Sequence, residues 1–252
     1  MIIILGKIKL SMSLKGIHIN ADLGEDYGRY TIADLDELMP YLTACNVACG
    51  FHAGDPSTID ATLLKAQQHG LQIGAHPSYP DLQGFGRRSM NIPTDELTSI
   101  LRYQICALAG MSRSIGIQLS HVKPHGALYN DAARDINVAK AVCNALSSLP
   151  DEIPLYVPPG SIIFELATEQ KIPIFLEAFL DRTYEDDLSL TPRSRTGSVI
   201  NDPSKARRQA SSIYQDNKVI TTTGKEKPMS ADTFCIHGDN PAALEILKSI
   251  HA

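Results

Sequence analysis

CNVACGFHAGDPSTIDATLLKAQQHGLQIGAHP, residues 45–77, decides the fold class. Cys45–Phe51 is an apolar, strand-like run. Pro56–His69 reads as a helix, with Pro at its first turn and Gly70 just past its end. Leu71–Ala75 is a second short apolar run. This strand–helix–strand unit recurs in both directions. Strands are expected at Ile17–Leu23, Ile117–Val122, Leu155–Val157, Ile174–Ala178 and Phe234–Ile236. Helices are expected at Asp34–Leu42, Thr94–Ser112 with Thr94 as N-cap, Ala132–Leu149, Ser161–Gln170, Pro203–Asp216 and Pro241–His251. Alternation of this kind indicates a parallel sheet covered by helices. Seven units in a chain of 252 residues suit one seven-stranded, TIM-like β/α barrel over residues 16–252. Residues 1–15 read as a frayed extension, with Met12 as an alternative start. Asp181–Asn201, irregular and rich in Asp, Arg and Ser, reads as an active-site loop. Lys218–Ala231 reads as a hairpin or surface loop.

Composition narrows the function classes. A 43% hydrophobic share supports a folded core, and the net charge of -5 argues against nucleic acid or an anionic membrane as partner. No apolar run reaches the roughly 20 residues that a bilayer needs. Cys45, Cys49, Cys106, Cys143 and Cys235 are odd in number and scattered. They suggest no disulfide framework, and a reducing cytoplasm is expected.

The chemistry gathers at the strand ends. In a parallel barrel every strand C-terminus opens on one face, and that face carries the active site. The strand ends supply Asn20 and Asp22; Asn46 and His52; His76; Lys123 and His125; Glu177, Asp181 and Arg182; and His237 and Asp239. Arg87 and Arg88 follow the third strand. Taken singly, each has a plainer reading. Asn20 and Asp22 could cap a turn, His52 could bond Asp55, and Arg87 and Arg88 could be solvated. Together they are the stronger signal. His18, His69 and His251 are left to structure or solvent. There is no H-E-x-x-H, no P-loop, no Rossmann fingerprint and no G-x-S-x-G elbow, so general acid–base or metal-assisted hydrolysis fits best.

The motifs Asn20-Ala-Asp-Leu-Gly-Glu25, Asn46-Val-Ala-Cys-Gly-Phe-His-Ala-Gly-Asp55, Gly74-Ala-His-Pro77, Gly84-Phe-Gly-Arg-Arg88, Tyr103-Gln104, His121-Val-Lys-Pro-His-Gly-Ala-Leu-Tyr-Asn130, Asp181-Arg-x-Tyr184 and His237-Gly-Asp239 stand in order over residues 16–245. Together they resemble the LamB/YcsF family. The resemblance implies a barrel of the glycoside hydrolase/deacetylase type. It also implies an ATP-hydrolysing 5-oxoprolinase in which this chain works with partner subunits B and C, opening 5-oxoproline to L-glutamate. ATP is the implied co-substrate, with a divalent cation accompanying it.

Within that reading, Asp22 or His52 handles the attacking water. Lys123 with Arg87 or Arg88 neutralises phosphate, and Arg182 clamps the substrate carboxylate. His125 and His237 protonate the leaving nitrogen, and Glu177 or Asp239 holds an imidazole. Asn20, Asn46, His76 and Asp181 complete the expected binding set. Two alternatives stay open: a metal-dependent deacetylase or amide hydrolase with Asp22, His52 and His125 as ligands, and a non-catalytic chain that binds the substrate for its partners. Two residues depart from the family pattern. Leu180 stands where Ala is usual, and Leu188 where Gly is usual. Leucine enters the φ > 0 region at a cost, so the loop at Leu188 is expected to take another shape.

Overall fold

The computed structural model describes residues 14, 16–28, 30 and 36–252. Among these, seven parallel strands close into a barrel in sequence order: β1 (Ile19–Leu23), β2 (Ala44–Ala48), β3 (Gln72–His76), β4 (His121–Val122), β5 (Leu155–Val157), β6 (Ile174–Phe179) and β9 (Thr233–Ile236). β9 pairs with β6 on one side and β1 on the other, which completes the ring. β7 (Lys218–Ile220) and β8 (Glu226–Pro228) form a separate antiparallel hairpin. The helices are α1 (Pro56–Gln68), α2 (Thr94–Ser114), α3 (Gly126–Ala132), α4 (Ile136–Ser147), α5 (Ile162–Glu169), α6 (Pro203–Asp216) and α7 (Ala243–His251). Among the described residues no helix is long and apolar enough to cross a membrane. The expected extension over residues 1–15 falls almost wholly outside the described residues.

Local chemistry explains the boundaries. Asp55 caps α1 by accepting from the Ser57 and Thr58 amides, with Pro56 at the first helical position. Three expectations need correction. The expected helix over Ala132–Leu149 is two helices, because the Asp135 carboxylate accepts from the Asn137 and Val138 amides and starts a new N-terminus. Thr94 is not the N-cap of α2. Pro93 occupies that position, and the Thr94 side chain makes no capping bond. Over Asp34–Leu42, the described part is a single 3₁₀ turn at Met39–Tyr41, with Pro40 inside it and Leu38 and Leu42 buried beside it; Leu35 lies outside the described residues.

The barrel interior is polar. Side chains alternate along a strand, so residues two apart share a face. Asn20, Asn46, His121, Glu177 and Thr233 form one inward layer. Asp22, His76, Lys123 and Cys235 form the next layer toward the strand C-termini. All are buried. The lower layer is closed by hydrogen bonds. Asn20 Nδ2 donates to Thr233 Oγ1 at 2.8 Å and to Glu177 Oε1 at 3.1 Å. Asn46 Nδ2 donates to Asn20 Oδ1 at 2.7 Å, and its Oδ1 takes the His121 Nε2 hydrogen at 2.6 Å. The His121 ring stacks on Tyr156, with centroids 4.0 Å apart.

Gly74 makes room for that ring. A Cβ there would lie 2.1 Å from His121 Nε2. Gly74→Ala is therefore expected to destabilise the protein by about 1–3 kcal/mol, since the inserted methyl must displace a hydrogen-bonded ring. Thermal unfolding checks this, and an unchanged midpoint would show that the ring has space to spare.

Candidate active site

A cleft of about 790 Å³ opens at the C-terminal ends of the barrel strands. Its floor carries Asp22, Lys123, His76 and Glu177. Its rim carries Arg87, Arg193, His237 and Asp239. The loop over residues 181–201 supplies one wall, including Arg182, Leu188 and Arg193.

The floor is one charge network. Lys123 Nζ donates to Asp22 Oδ1 and to Cys235 Sγ, each at 2.9 Å, and lies 3.2 Å from Glu177 Oε1. An ammonium has three donors, so these three contacts occupy it. Asp22 Oδ1 also accepts from Asn46 at 2.8 Å, and Oδ2 lies 3.3 Å from His76 Nε2. Burial works against the ionised Asp22 carboxyl, but His76 and Lys123 beside it outweigh that and hold its pKa well below the usual carboxylate range. Burial likewise works against the Lys123 ammonium, and Asp22, then Cys235 and Glu177, carry its pKa well above that of a free lysine. The floor thus holds a carboxylate and an ammonium, each fixing the charge of the other.

Two floor groups are buried against each other. The Tyr129 hydroxyl and Glu177 Oε2 bond to no third group, the Glu177 carboxylate stands beside the Tyr129 hydroxyl, and both residues line the cleft. Burial, then the Glu177 carboxylate, pushes the Tyr129 pKa well up, so the phenol keeps its hydrogen.

The rim is positive and tightly paired. Arg87 Nη2 and Arg193 Nη1 share Asp239 Oδ2 at 2.7 and 3.0 Å, and the Arg87 guanidinium lies 4.9 Å from the Phe85 ring centre. His237 Nδ1 lies 2.9 Å from Asp181 Oδ1, and Asn240 Nδ2 donates to Asp181 Oδ2 at 3.2 Å. Burial opposes the ionised Asp181, but His237 and Asn240 hold its pKa below the ordinary value.

The structure redistributes several expected roles. Glu177 and Asp239 do not hold an imidazole; Asp181 does that for His237. His52 is bonded not to Asp55 but to Glu25 Oε1 at 3.1 Å, and its ring stacks on His125 with centroids 3.7 Å apart. Arg88 turns from the cleft to Asp81, which it pairs through Nε at 3.0 Å. Arg182 gives Nε to the Ser198 carbonyl at 3.2 Å and Nη2 to the Thr191 carbonyl at 2.6 Å. The side-on Nε/Nη2 edge is therefore spent on its own loop, and only the end-on Nη1/Nη2 edge is left for a substrate carboxylate. Asn20 and Asn46 lie beneath the cleft as supports. Asp22, His52 and His125 do not form a cluster by themselves, because Glu25 and His76 stand between them.

Glu25, Tyr129, Arg193 and Cys235 were not among the expected site residues. Glu25 and Tyr129 stand inside the quoted motifs, and Arg193 stands in the Arg-rich loop. Cys235 had only its place in the last strand, two residues before His237. Leu188 also differs from expectation. It sits at φ 68 on the cleft wall, so the chain keeps the left-handed turn with leucine in place of glycine. That conformation costs roughly 1–2 kcal/mol.

Comparison with known proteins now bears on this geometry. Residues 17–252 match the LamB/YcsF family. The chain belongs to the LamB/YcsF family. It is 45% identical to the A component of 5-oxoprolinase from Limosilactobacillus fermentum, over 93% of each chain. It is 42% identical to the A component of 5-oxoprolinase from Clostridium beijerinckii, over 93% of this chain and 92% of that one. In three dimensions it superposes on a lactam utilization protein from Thermus thermophilus with a TM-score of 0.88 and 40% identity, over 93% of this chain and 94% of that one. A putative cellobiose-phosphate cleavage protein from Enterococcus faecalis shares the fold alone, with a TM-score of 0.52 at 12% identity over 93% of each chain. The closed seven-strand barrel is thus the barrel of LamB/YcsF proteins.

Proposed function

We propose that this chain is the A component of an ATP-hydrolysing 5-oxoprolinase and opens 5-oxoproline to L-glutamate together with subunits B and C. The observation that carries the reading is Asp22, an ionised carboxylate held at the floor of the cleft by Lys123 and His76. Opening a cyclic amide needs a base for water, a donor for the leaving nitrogen and compensation for charge on the carbonyl oxygen. Asp22 is the base. His237, oriented by Asp181, is the proton donor. Lys123 is a positioning residue that keeps Asp22 charged, since its own donors are already spent.

Glu177 and Tyr129 on the floor suit the substrate. A lactam presents one N–H and one C=O side by side. Glu177 Oε2 can accept the first, and the Tyr129 hydroxyl can donate to the second, in place of the contact the two make with each other. Arg87 and Arg193 meet the anionic parts, which are the substrate carboxylate and the phosphate that ATP adds to the amide oxygen. That phosphorylation makes an unreactive amide a good electrophile for water. The relatives' names and the lactam utilization structure support the same substrate class.

The test is reconstitution. The chain mixed with subunits B and C, 5-oxoproline and ATP is expected to release glutamate and phosphate together. No glutamate with any partner pair would overturn the proposal.

A further inference from the structure

On the inner wall of the cleft, three imidazoles and two carboxylates crowd together, and two of the facing nitrogens carry no hydrogen when their rings are neutral. His76 Nδ1 lies 2.7 Å from the Lys123 carbonyl oxygen. A carbonyl only accepts, so Nδ1 carries the ring hydrogen and Nε2 is a bare lone pair in the neutral ring. His125 Nε2 lies 2.9 Å from the Phe85 carbonyl oxygen, and the same reasoning leaves Nδ1 bare. These two bare nitrogens stand 2.9 Å apart. Glu25 Oε1 lies 3.3 Å from His125 Nδ1, 3.1 Å from His52 Nε2 and 4.0 Å from His76 Nε2. Asp22 Oδ2 lies 3.3 Å from His76 Nε2. Lone pairs at such distances repel unless a positive centre sits among them.

The spacing suits a metal ion. With metal–nitrogen and metal–oxygen bonds of roughly 2.0–2.2 Å, neighbouring ligands in a tetrahedral or octahedral shell stand roughly 2.9–3.5 Å apart. The shorter separations here, 2.9 to 3.3 Å, fall in that span. The outer nitrogens of His76 and His125 donate to backbone carbonyls, the arrangement that usually orients metal-bound imidazoles. His76 ends β3, and Glu25, His52 and His125 lie in the segments just past the ends of β1, β2 and β4, so four neighbouring strands of the closed barrel deliver the side chains to one place.

We propose that Glu25, His52, His76 and His125 bind one divalent first-row transition-metal cation, with Asp22 at the edge of the site. Three imidazoles and one carboxylate suit zinc, cobalt or nickel better than magnesium or calcium, which favour all-oxygen shells. The site does not depend on the lactam reading, because it rests on the hydrogen-bond geometry of the four side chains. A competing occupant is a single proton shared by His76 and His125.

The experiment uses the full chain alone, stripped with a chelator and titrated with cobalt(II). About one cobalt per chain is expected by elemental analysis, with visible ligand-field absorption that zinc(II) abolishes. The double variant His76→Gln/His125→Gln is expected to lose both signals. Stripped wild-type protein that takes up no cobalt, or no more than the double variant, would overturn the metal site and leave the shared proton. If the double variant does not fold, the wild-type absorption spectrum decides alone, since imidazole-bound cobalt has bands that hydrated cobalt lacks. No lactam, ATP or partner is present, so a failed glutamate assay and a failed metal titration are separate results.

Discussion

Lys123→Met is expected to lower the stability of the chain by about 3–5 kcal/mol, the largest effect of any single replacement in the cleft. The methionine fills a similar volume, so the loss comes from charge. Asp22 and Glu177 would remain buried on one floor without their shared cation, at distances where carboxylates cannot both stay ionised cheaply. Urea unfolding of wild type and variant measures the difference. The double variant Lys123→Met/Glu177→Gln is expected to recover part of it, because one of the two stranded charges is gone. A loss of under about 1 kcal/mol, the scale of an exposed ion pair, would show that water reaches the network. Glutamate formation should fall as well, since an Asp22 carboxyl relieved of its cation takes up a proton more readily.

Asp22→Asn is expected to cut the rate of glutamate formation by about 10²–10⁴-fold, the usual worth of a positioned base. The amide keeps the shape of the side chain, and its oxygen can still accept from Asn46 and Lys123 as Oδ1 does. The basicity is removed, together with the charge that Asp22 sets against Lys123, while Glu177 still faces that ammonium. The readout is glutamate released per minute by the enzyme reconstituted with subunits B and C. Circular dichroism of the variant checks that the barrel is intact. A rate near wild type would remove Asp22 from the role of base and leave His76 or His237 to fill it.

Much of the fold was legible because a buried parallel strand and an amphipathic helix leave local marks. Leu155–Val157 and Pro203–Asp216 coincide with β5 and α6. The errors fall where a single side chain competes with periodicity. Asp135 cut one expected helix in two, since a capping carboxylate can outweigh continuous apolar spacing. Leu188 is the opposite case. A residue that avoids the left-handed region is held in it, because the turn from Tyr184 to Leu190 is closed by backbone pairing and by the Leu188 amide bonding to the Glu185 carbonyl. Tertiary closure therefore decided against the local preference.

For the site, the sequence by itself determined the inventory. Polar residues at the ends of apolar strands had to meet on one face, once the strands were parallel and closed. It also determined the family, through motifs of six to ten residues in order. Only the tertiary structure decided the division of labour. The role of Lys123 depends on Asp22, Glu177 and Cys235, which come from three other strands and exhaust its donors. The role of Arg182 depends on the carbonyls of Ser198 and Thr191 across its own loop. Side-chain chemistry is written residue by residue, but whether a charge is free, spent or paired is a property of the few ångströms around it, and those are set by strands distant in the chain.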